Sequence, residues 1–342
     1  MLKVGLTGYG FMGHMHAQCY TATGEAQIVA LADVDPAKRK EAEEKYNCKT
    51  YANINDMLAA EPNLDIVDIC TPTYLHEECV LAAAPKVKNI MCEKPMSLTV
   101  ESCNRMIDAA KKNGVRLMMG QVIRFWPEYM VVKDLVDSGK YGKILWISAQ
   151  RRSSFPFQSW ENWYADEKKS GGAVLDLHIH DQDFIAYLLG SPKMVDARGE
   201  KGPGAGINGV QALGWGYANG AKTYAEGALN LAPGFPFNMA LLVACEKATL
   251  KLDISSSPSL MVYPFEGEAF APELPKPSIG QSTETSGNIS DLGGYFNEIK
   301  YFIDCIKAGK TPNIVKPEDA REAVKICLAV TESAETNKVV EL

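Results

Sequence analysis

The sequence predicts a two-part protein: an α/β Rossmann-type, doubly wound parallel sheet, then an α+β C-terminal domain with a mostly antiparallel open sheet. Three observations carry this. The first 120 residues alternate short β-branched runs with helical patterns, as a parallel sheet covered by helices on both faces requires. Gly8-Tyr9-Gly10-Phe11-Met12-Gly13 follows the first apolar run at once and opens the first helical pattern. After Gly120 the alternation stops, and strands recur at hairpin-like spacing instead. A length of 342 residues suits two domains, expected at 1–122 and 123–342.

In the first part, residues 4–7, 28–32, 66–69, 90–92 and 116–119 read as strands, and 11–23, 36–46, 75–84 and 99–113 as helices. Asp35-Pro36 puts a capping residue before a proline at the first helical position, and Asn113-Gly114 closes the last helix. Beyond Gly120 a helix is expected over 128–138 and a strand over 144–151. A continuous helix from about 173 to 189 then stops at Gly190-Ser191-Pro192. Strands follow near 193–200, 209–217, 221–229, 237–244, 248–254 and 259–264. Residues 266–293, rich in Gly, Pro, Ser and Thr, read as a long loop, and helices over 294–308 and 318–336 finish the chain.

Composition excludes several classes. With 46% apolar and 23% charged residues the chain is an ordinary globular one. A net charge of −7, with no dominant basic cluster, argues against nucleic acid as partner. Lys38-Arg39-Lys40 runs into Glu41, Glu43 and Glu44 and reads as a solvated helix face. The opening Met-Leu-Lys-Val-Gly-Leu lacks the form of a signal peptide, and no run approaches the roughly 18 apolar residues of a membrane span. Nine cysteines without CxxC spacing suit reduced thiols, so a cytoplasmic protein is expected.

The glycine motif is the strongest chemical signal. Gly8 serves the tight turn, Gly10 the approach of backbone to a pyrophosphate, and Gly13 the close packing of helix on strand. The helix start offers unpaired N–H groups to phosphate. Asp33 stands 20 residues beyond Gly13, where a carboxylate accepts from the adenosine ribose and repels a 2′-phosphate. NAD is therefore expected; NADP stays open because Lys38 and Arg39 lie within reach. Thr71-Pro72 and Glu93-Lys94 follow two later strands on the carboxyl edge, where ligands bind in such sheets.

A second constellation follows Gly171-Gly172. Asp176 and His180, four apart, project from one helix face, while His178 points elsewhere. Oxidation by hydride transfer needs a base for the hydroxyl proton, and histidine titrates in the right range. A carboxylate such as Asp176 orients the donor, and a lysine such as Lys94 polarises the oxygen. The bland alternative is a set of satisfied polar residues near a helix start. A metal reading of His-x-His-Asp is weaker, because the remaining histidines, His14, His16 and His76, all fall in the first half; no metal is expected.

Phe155, Phe157, Trp160, Trp163 and Tyr164, interleaved with Arg152, Glu161 and Asn162, suit stacking on a sugar ring with Asn162 reading hydroxyls. A subunit contact fits that segment too. Arg124, in Arg124-Phe125-Trp126-Pro127-Glu128-Tyr129, is a further candidate for substrate binding, and Phe235-Pro236-Phe237 is a candidate to bring an aromatic ring to the substrate pocket.

Taken in order, the Gly8–Gly13 motif with His14 and His16, Thr71-Pro72-Thr73-Tyr74-Leu75-His76, Glu93-Lys94-Pro95, and Gly171-Gly172 before Asp176-Leu177-His178-Ile179-His180-Asp181 resemble the Gfo/Idh/MocA family across essentially the whole chain. That family includes glucose–fructose oxidoreductase and inositol dehydrogenases. The resemblance implies Lys94, Asp176 and His180 as the catalytic trio, with His180 the acid/base. It implies cofactor contacts from Phe11, Met12, Asp33, Thr71, Pro72, His76, Glu93 and Gln121. It also implies NAD or NADP without metal, and dimers or tetramers built through the open sheet face. The expected activity is oxidation of a secondary hydroxyl of a sugar, cyclitol or glycoside. An NADP-dependent keto-sugar reductase and a nucleotide-sensing binding protein are the alternatives.

Overall fold

The alternation of the first 120 residues folds as its periods demand. The computed structural model describes residues 1–156, 159–204, 206–275 and 292–342. Six strands, β1 (Leu2–Thr7), β2 (Ala26–Ala32), β3 (Lys49–Tyr51), β4 (Ile66–Ile69), β5 (Asn89–Glu93) and β6 (Arg116–Gly120), form a parallel sheet in the order β3-β2-β1-β4-β5-β6. Every residue of β4 and β5 is buried, which is why they read as largely apolar runs, interrupted by Asp68 in β4 and bounded by Asn89 and Glu93 in β5. Helices α1 (Phe11–Thr23), α2 (Pro36–Tyr46), α3 (Ile54–Ala60), α4 (His76–Ala83) and α5 (Val100–Asn113) connect the strands. The Asp35 side chain accepts from the Ala37 N–H to cap α2, and Thr99 accepts from Ser102 to cap α5. Because the strands are parallel, all their carboxyl ends share one edge, and the Gly8–Gly13 turn, Asp33, Thr71, Lys94 and Gln121 collect there.

The second sheet has eight strands: β7 (Ile144–Ser154), β8 (Met194–Lys201), β9 (Ile207–Trp215), β10 (Lys222–Leu231), β11 (Asn238–Cys245), β12 (Ala248–Asp253), β13 (Leu260–Pro264) and β14 (Val340–Glu341). Their order is β13-β12-β11-β7-β10-β9-β8-β14; β7 and β10 run parallel and the other pairs antiparallel. Burial alternates along these strands, so one face is covered and the other half-exposed, with Trp146, Leu213 and Tyr263 on the open side. This unit also holds α6 (Pro127–Asp137), α7 (Glu167–Ser170) and α8 (Ile179–Leu189).

Two helices close the chain, α9 (Gly293–Lys307) and α10 (Pro317–Thr336). Contacts group the chain differently from the expected division at 122/123. The described residues of Pro277–Arg321 belong to the first compact unit with Met1–Phe125, while the second comprises the described residues of Trp126–Lys276 with Glu322–Leu342. The apolar face of α9, with Tyr295, Ile299, Phe302 and Ile303 buried, packs on α1. A correction concerns the helix expected from 173 to 189. Its first turn, Val174–His178, is π-helical, and the α-helix proper begins at Ile179. Of the long loop expected over 266–293, residues 276–291 lie outside the described residues, as does Phe157. All nine cysteines are buried and unpaired, and no described helix is long and apolar enough to cross a membrane.

Candidate active site

At the start of α1 the three glycines separate into three roles. Gly8 has φ +85°, and a Cβ there would stand 2.7 Å from the Cys70 backbone, so the turn admits no side chain. A Cβ on Gly13 would lie 2.1 Å from the Gly8 carbonyl oxygen, which makes it the contact of helix on strand. Gly10 has nothing within 4 Å of its Cβ position. That open space lies at a helix start with no capping side chain and no acidic residue in its first turn. The first N–H groups of α1 are thus left for an external acceptor, as a bound pyrophosphate requires.

Asp33 organises this turn. Its Oδ2 accepts from the Tyr9 N–H at 2.6 Å and its Oδ1 from the Asp35 N–H at 2.8 Å. Each oxygen keeps a further lone pair for a ribose hydroxyl. Arg39 donates to the backbone carbonyls of Asp33 at 2.7 Å and Val34 at 3.1 Å, which ties this cation to the backbone of the turn. Asp33→Ser is expected to narrow the preference for NAD over NADP. Equal or higher kcat/KM with NADP in the unaltered protein would show that Asp33 does not discriminate.

Farther along the edge, Gln121 directly after β6 is wholly buried, and neither its Nε2 nor its Oε1 has a hydrogen-bond partner. A buried amide left so carries a cost of about 1–3 kcal/mol per group, which a ligand or ordered water removes. His76 joins two of the edge loops: Nδ1 lies 2.9 Å from the Pro95 carbonyl and Nε2 2.9 Å from that of Thr71. Burial pushes its pKa down, so the neutral ring donates to one of the two. The uncapped helix, the space at Gly10 and the orphaned Gln121 fit a dinucleotide.

Glu93 and Arg124, both singled out in the sequence, are held by partners within the first unit. Glu93 turns its carboxylate inward, with Oε1 2.9 Å from His16 Nε2 and Oε2 accepting from the Lys94 N–H at 3.0 Å. Arg124 is buried and donates to the Ile314 carbonyl at 2.6 Å and to Asp319 Oδ2 at 3.1 Å. It anchors the segment leading into α10.

In the second unit Asp176 lies in the π-helical turn and His180 one turn on, at the start of α8. Such turns recur at functional sites because they redirect side chains within a helix. Asp176 is 9% exposed and His180 more so, whereas His178 is wholly buried. A Cβ on Gly227 would stand 2.9 Å from that of His178, so β10 makes room for it. Gln182 Nε2 lies 2.8 Å from His178 Nε2. Burial, then the Arg151 charge, pushes the His178 pKa down to about 3, so it stays neutral. Arg151 on β7 holds Asp181 through two N–H donors at 3.0 Å each and fixes the helix beside His180.

The aromatic segment divides. Phe155 forms a small core with Ala173, Leu177 and Leu229, against which Tyr164 and Phe237 pack, so these three rings are structural. Trp163 stacks on Tyr164 with ring centres 4.2 Å apart. Asn162, exposed and at φ +54°, and Trp160, 42% exposed, remain accessible to a ligand. Sequence reasoning passed over Arg151 and the carboxylates around His16; Asp68, a charge inside the apolar run Ile66–Ile69, was the available signal. Among the described residues, His/Cys/Asp/Glu trios within reach of one ion occur around His16 and not around His178 or His180.

Comparison with known proteins decides the family. The family model for the NAD-binding Rossmann fold of Gfo/Idh/MocA oxidoreductases matches residues 2–121, and the model for their C-terminal domain matches 129–251. The chain belongs to the Gfo/Idh/MocA family. This Gfo/Idh/MocA member is an NAD-binding oxidoreductase. It is 26% identical to a myo-inositol 2-dehydrogenase of Thermotoga maritima over 100% of this chain and 98% of that one. It spans about half the length of other curated relatives: at 32% identity, 53% of an uncharacterized oxidoreductase of Streptococcus pneumoniae and 55% of an inositol 2-dehydrogenase of Rhizobium meliloti. A probable dehydrogenase of Thermotoga maritima superposes with a TM-score of 0.82 at 25% identity, over 99% of this chain and 98% of that one. A levoglucosan dehydrogenase bound to NADH and levoglucosan gives 0.86 at 24% identity over 99% of both chains, a likeness of fold.

Proposed function

We propose that this protein oxidises a secondary hydroxyl of a sugar, cyclitol or glycoside with NAD as acceptor. The observation that carries the reading is the carboxyl edge of the first sheet, where an uncapped helix start, an open glycine and an orphaned amide stand with Lys94. The substrate class draws support from the names of relatives, myo-inositol 2-dehydrogenase and inositol 2-dehydrogenase among them.

The backbone of Gly8, Gly10 and Gly13 with Phe11 and Met12 would hold the pyrophosphate, Asp33 the adenosine ribose, and Thr71, Pro72, His76 and Gln121 the nicotinamide half. When bound, NAD supplies a hydride acceptor at nicotinamide C4. His180 accepts the hydroxyl proton on a ring nitrogen, and Asp176 orients the donor and offsets the imidazolium charge. Lys94 donates a charged hydrogen bond to the oxygen as it gains negative charge. Asn162 and Trp163 meet the remaining hydroxyls and a ring face. The half-exposed sheet face bearing Trp146, Leu213 and Tyr263 supports the further reading that copies of this chain pair there. Incubation with NAD and a panel of cyclitols, sugars and glycosides is expected to raise the absorbance of reduced nicotinamide with at least one member. A flat response across the panel, with NADPH consumed on the matching ketones instead, would favour the keto-sugar reductase.

A further inference from the structure

A buried chain of charge runs beneath the Glu93-Lys94 turn. His16 on α1 is wholly buried, with Nδ1 2.8 Å from Asp68 Oδ2 and Nε2 2.9 Å from Glu93 Oε1. A neutral ring donates through one nitrogen, so satisfying both carboxylates takes the imidazolium. Burial works against that charge, the Asp68 carboxylate works for it, and the proton is held well above the ordinary histidine range. The other oxygen of Glu93 accepts from the Lys94 backbone N–H at 3.0 Å.

The neighbouring strand is shaped for this carboxylate. A Cβ on Gly120 would lie 2.9 Å from Glu93 Oε1, so β6 leaves the space that Glu93 fills. The Glu298 carboxylate on α9 also reaches the cluster, with its ligand atom within 4.8 Å of those of His16 and Glu93. Buried charges of this kind are a poor source of stability, since well-packed apolar side chains of similar volume usually do as well or better. Their distinctive product is geometry: paired, directional bonds that hold one backbone amide in one place.

We propose that His16 is a positioning residue for Lys94. Its imidazolium fixes Glu93, and Glu93 fixes the amide of the residue whose side chain meets the reacting hydroxyl. The proposal rests on the reading of Lys94 given above, and the test separates the two. Glu93→Gln keeps the volume but cannot accept from both His16 and the Lys94 amide. His16→Asn removes the imidazolium.

The experiment measures kcat, KM, NAD affinity and Tm for both variants, their double mutant and Lys94→Ala. Each single variant is expected to lose about tenfold or more in kcat, with NAD affinity within about threefold of the unaltered protein. The double mutant should fall no further than its weaker parent, because both changes release one amide. A merely structural role would lower Tm and NAD affinity while leaving kcat of the folded enzyme alone. Normal kcat in Glu93→Gln beside an inactive Lys94→Ala overturns the positioning role and leaves the reading of Lys94 intact. Full turnover in Lys94→Ala overturns the reading beneath it. Losses that multiply in the double mutant, or activity removed by a chelator and restored by zinc, also overturn the proposal. Should His16→Asn fail to fold, Glu93→Gln against Lys94→Ala decides it alone.

Discussion

His180→Ala is expected to lose about 10²–10⁴-fold in turnover while binding NAD nearly as the unaltered protein does. The size follows from the proposed role of His180 as the base that takes the hydroxyl proton. The unchanged affinity follows from the assignment of cofactor binding to the Gly8–Gly13 turn, Asp33 and Gln121, none of which the substitution touches. Lys94→Ala should be comparably inactive. The double mutant should lose far less than the product of the two, since both groups are proposed to act on one oxygen. His178→Ala is the contrast. Its ring is buried, held neutral and pressed against Gly227, so removing it opens a cavity and lowers Tm. Turnover per folded molecule should change little. An active His180→Ala beside an inactive, well-folded His178→Ala would assign the proton to the other histidine. Near-normal turnover in both would remove the acid–base step altogether.

Gly10→Val is expected to weaken NAD binding about tenfold or more, which is roughly 1.4 kcal/mol, and to leave Tm unchanged. The backbone at Gly10 has φ −81° and ψ −158°, open to any residue, and nothing stands within 4 Å of its Cβ position. The free protein therefore accommodates the side chain, and only a ligand over the start of α1 meets it. Gly13→Ala should behave in the opposite way, because its Cβ would lie 2.1 Å from the Gly8 carbonyl oxygen and so damage the protein itself. Calorimetry for Tm and titration for affinity separate the two effects. Unaltered NAD affinity in Gly10→Val would mean that the pyrophosphate does not approach there.

What the sequence disclosed, and what it withheld, follows from the range of each signal. The parallel sheet was legible because fully buried strands such as Ile66–Ile69 stand as apolar runs between helical periods. The antiparallel strands were legible because one side is half-exposed and the alternation survives in sequence. β3, three residues long and without a buried member, and β14, of two residues, are too short to carry a period, and both were missed. The apolar face of α9 was plain, but a face does not name its partner, so its place against α1 came only from the structure.

The site divides along the same line. Glycines after a strand announce themselves locally. Arg124, beside aromatic residues, looks like a pocket lining until its ion pair with Asp319, 195 positions on, is seen. The π-helical turn leaves Asp176 and His180 at the spacing of an ordinary helix and has no mark in the sequence. His16 read as one more histidine after the glycine motif. Its hydrogen-bond partners are carboxylates 52 and 77 positions away.

The proposed oxidation moves a carbon-bound hydrogen from a secondary alcohol to NAD, and that hydrogen can be followed. A panel alcohol that supports NAD reduction is prepared with deuterium on the carbinol carbon, and the reduced cofactor is analysed by mass spectrometry. Reduced cofactor one mass unit heavier is expected, together with the corresponding ketone. Reduced cofactor of normal mass, or deuterium kept on the alcohol carbon, would contradict the proposed oxidation.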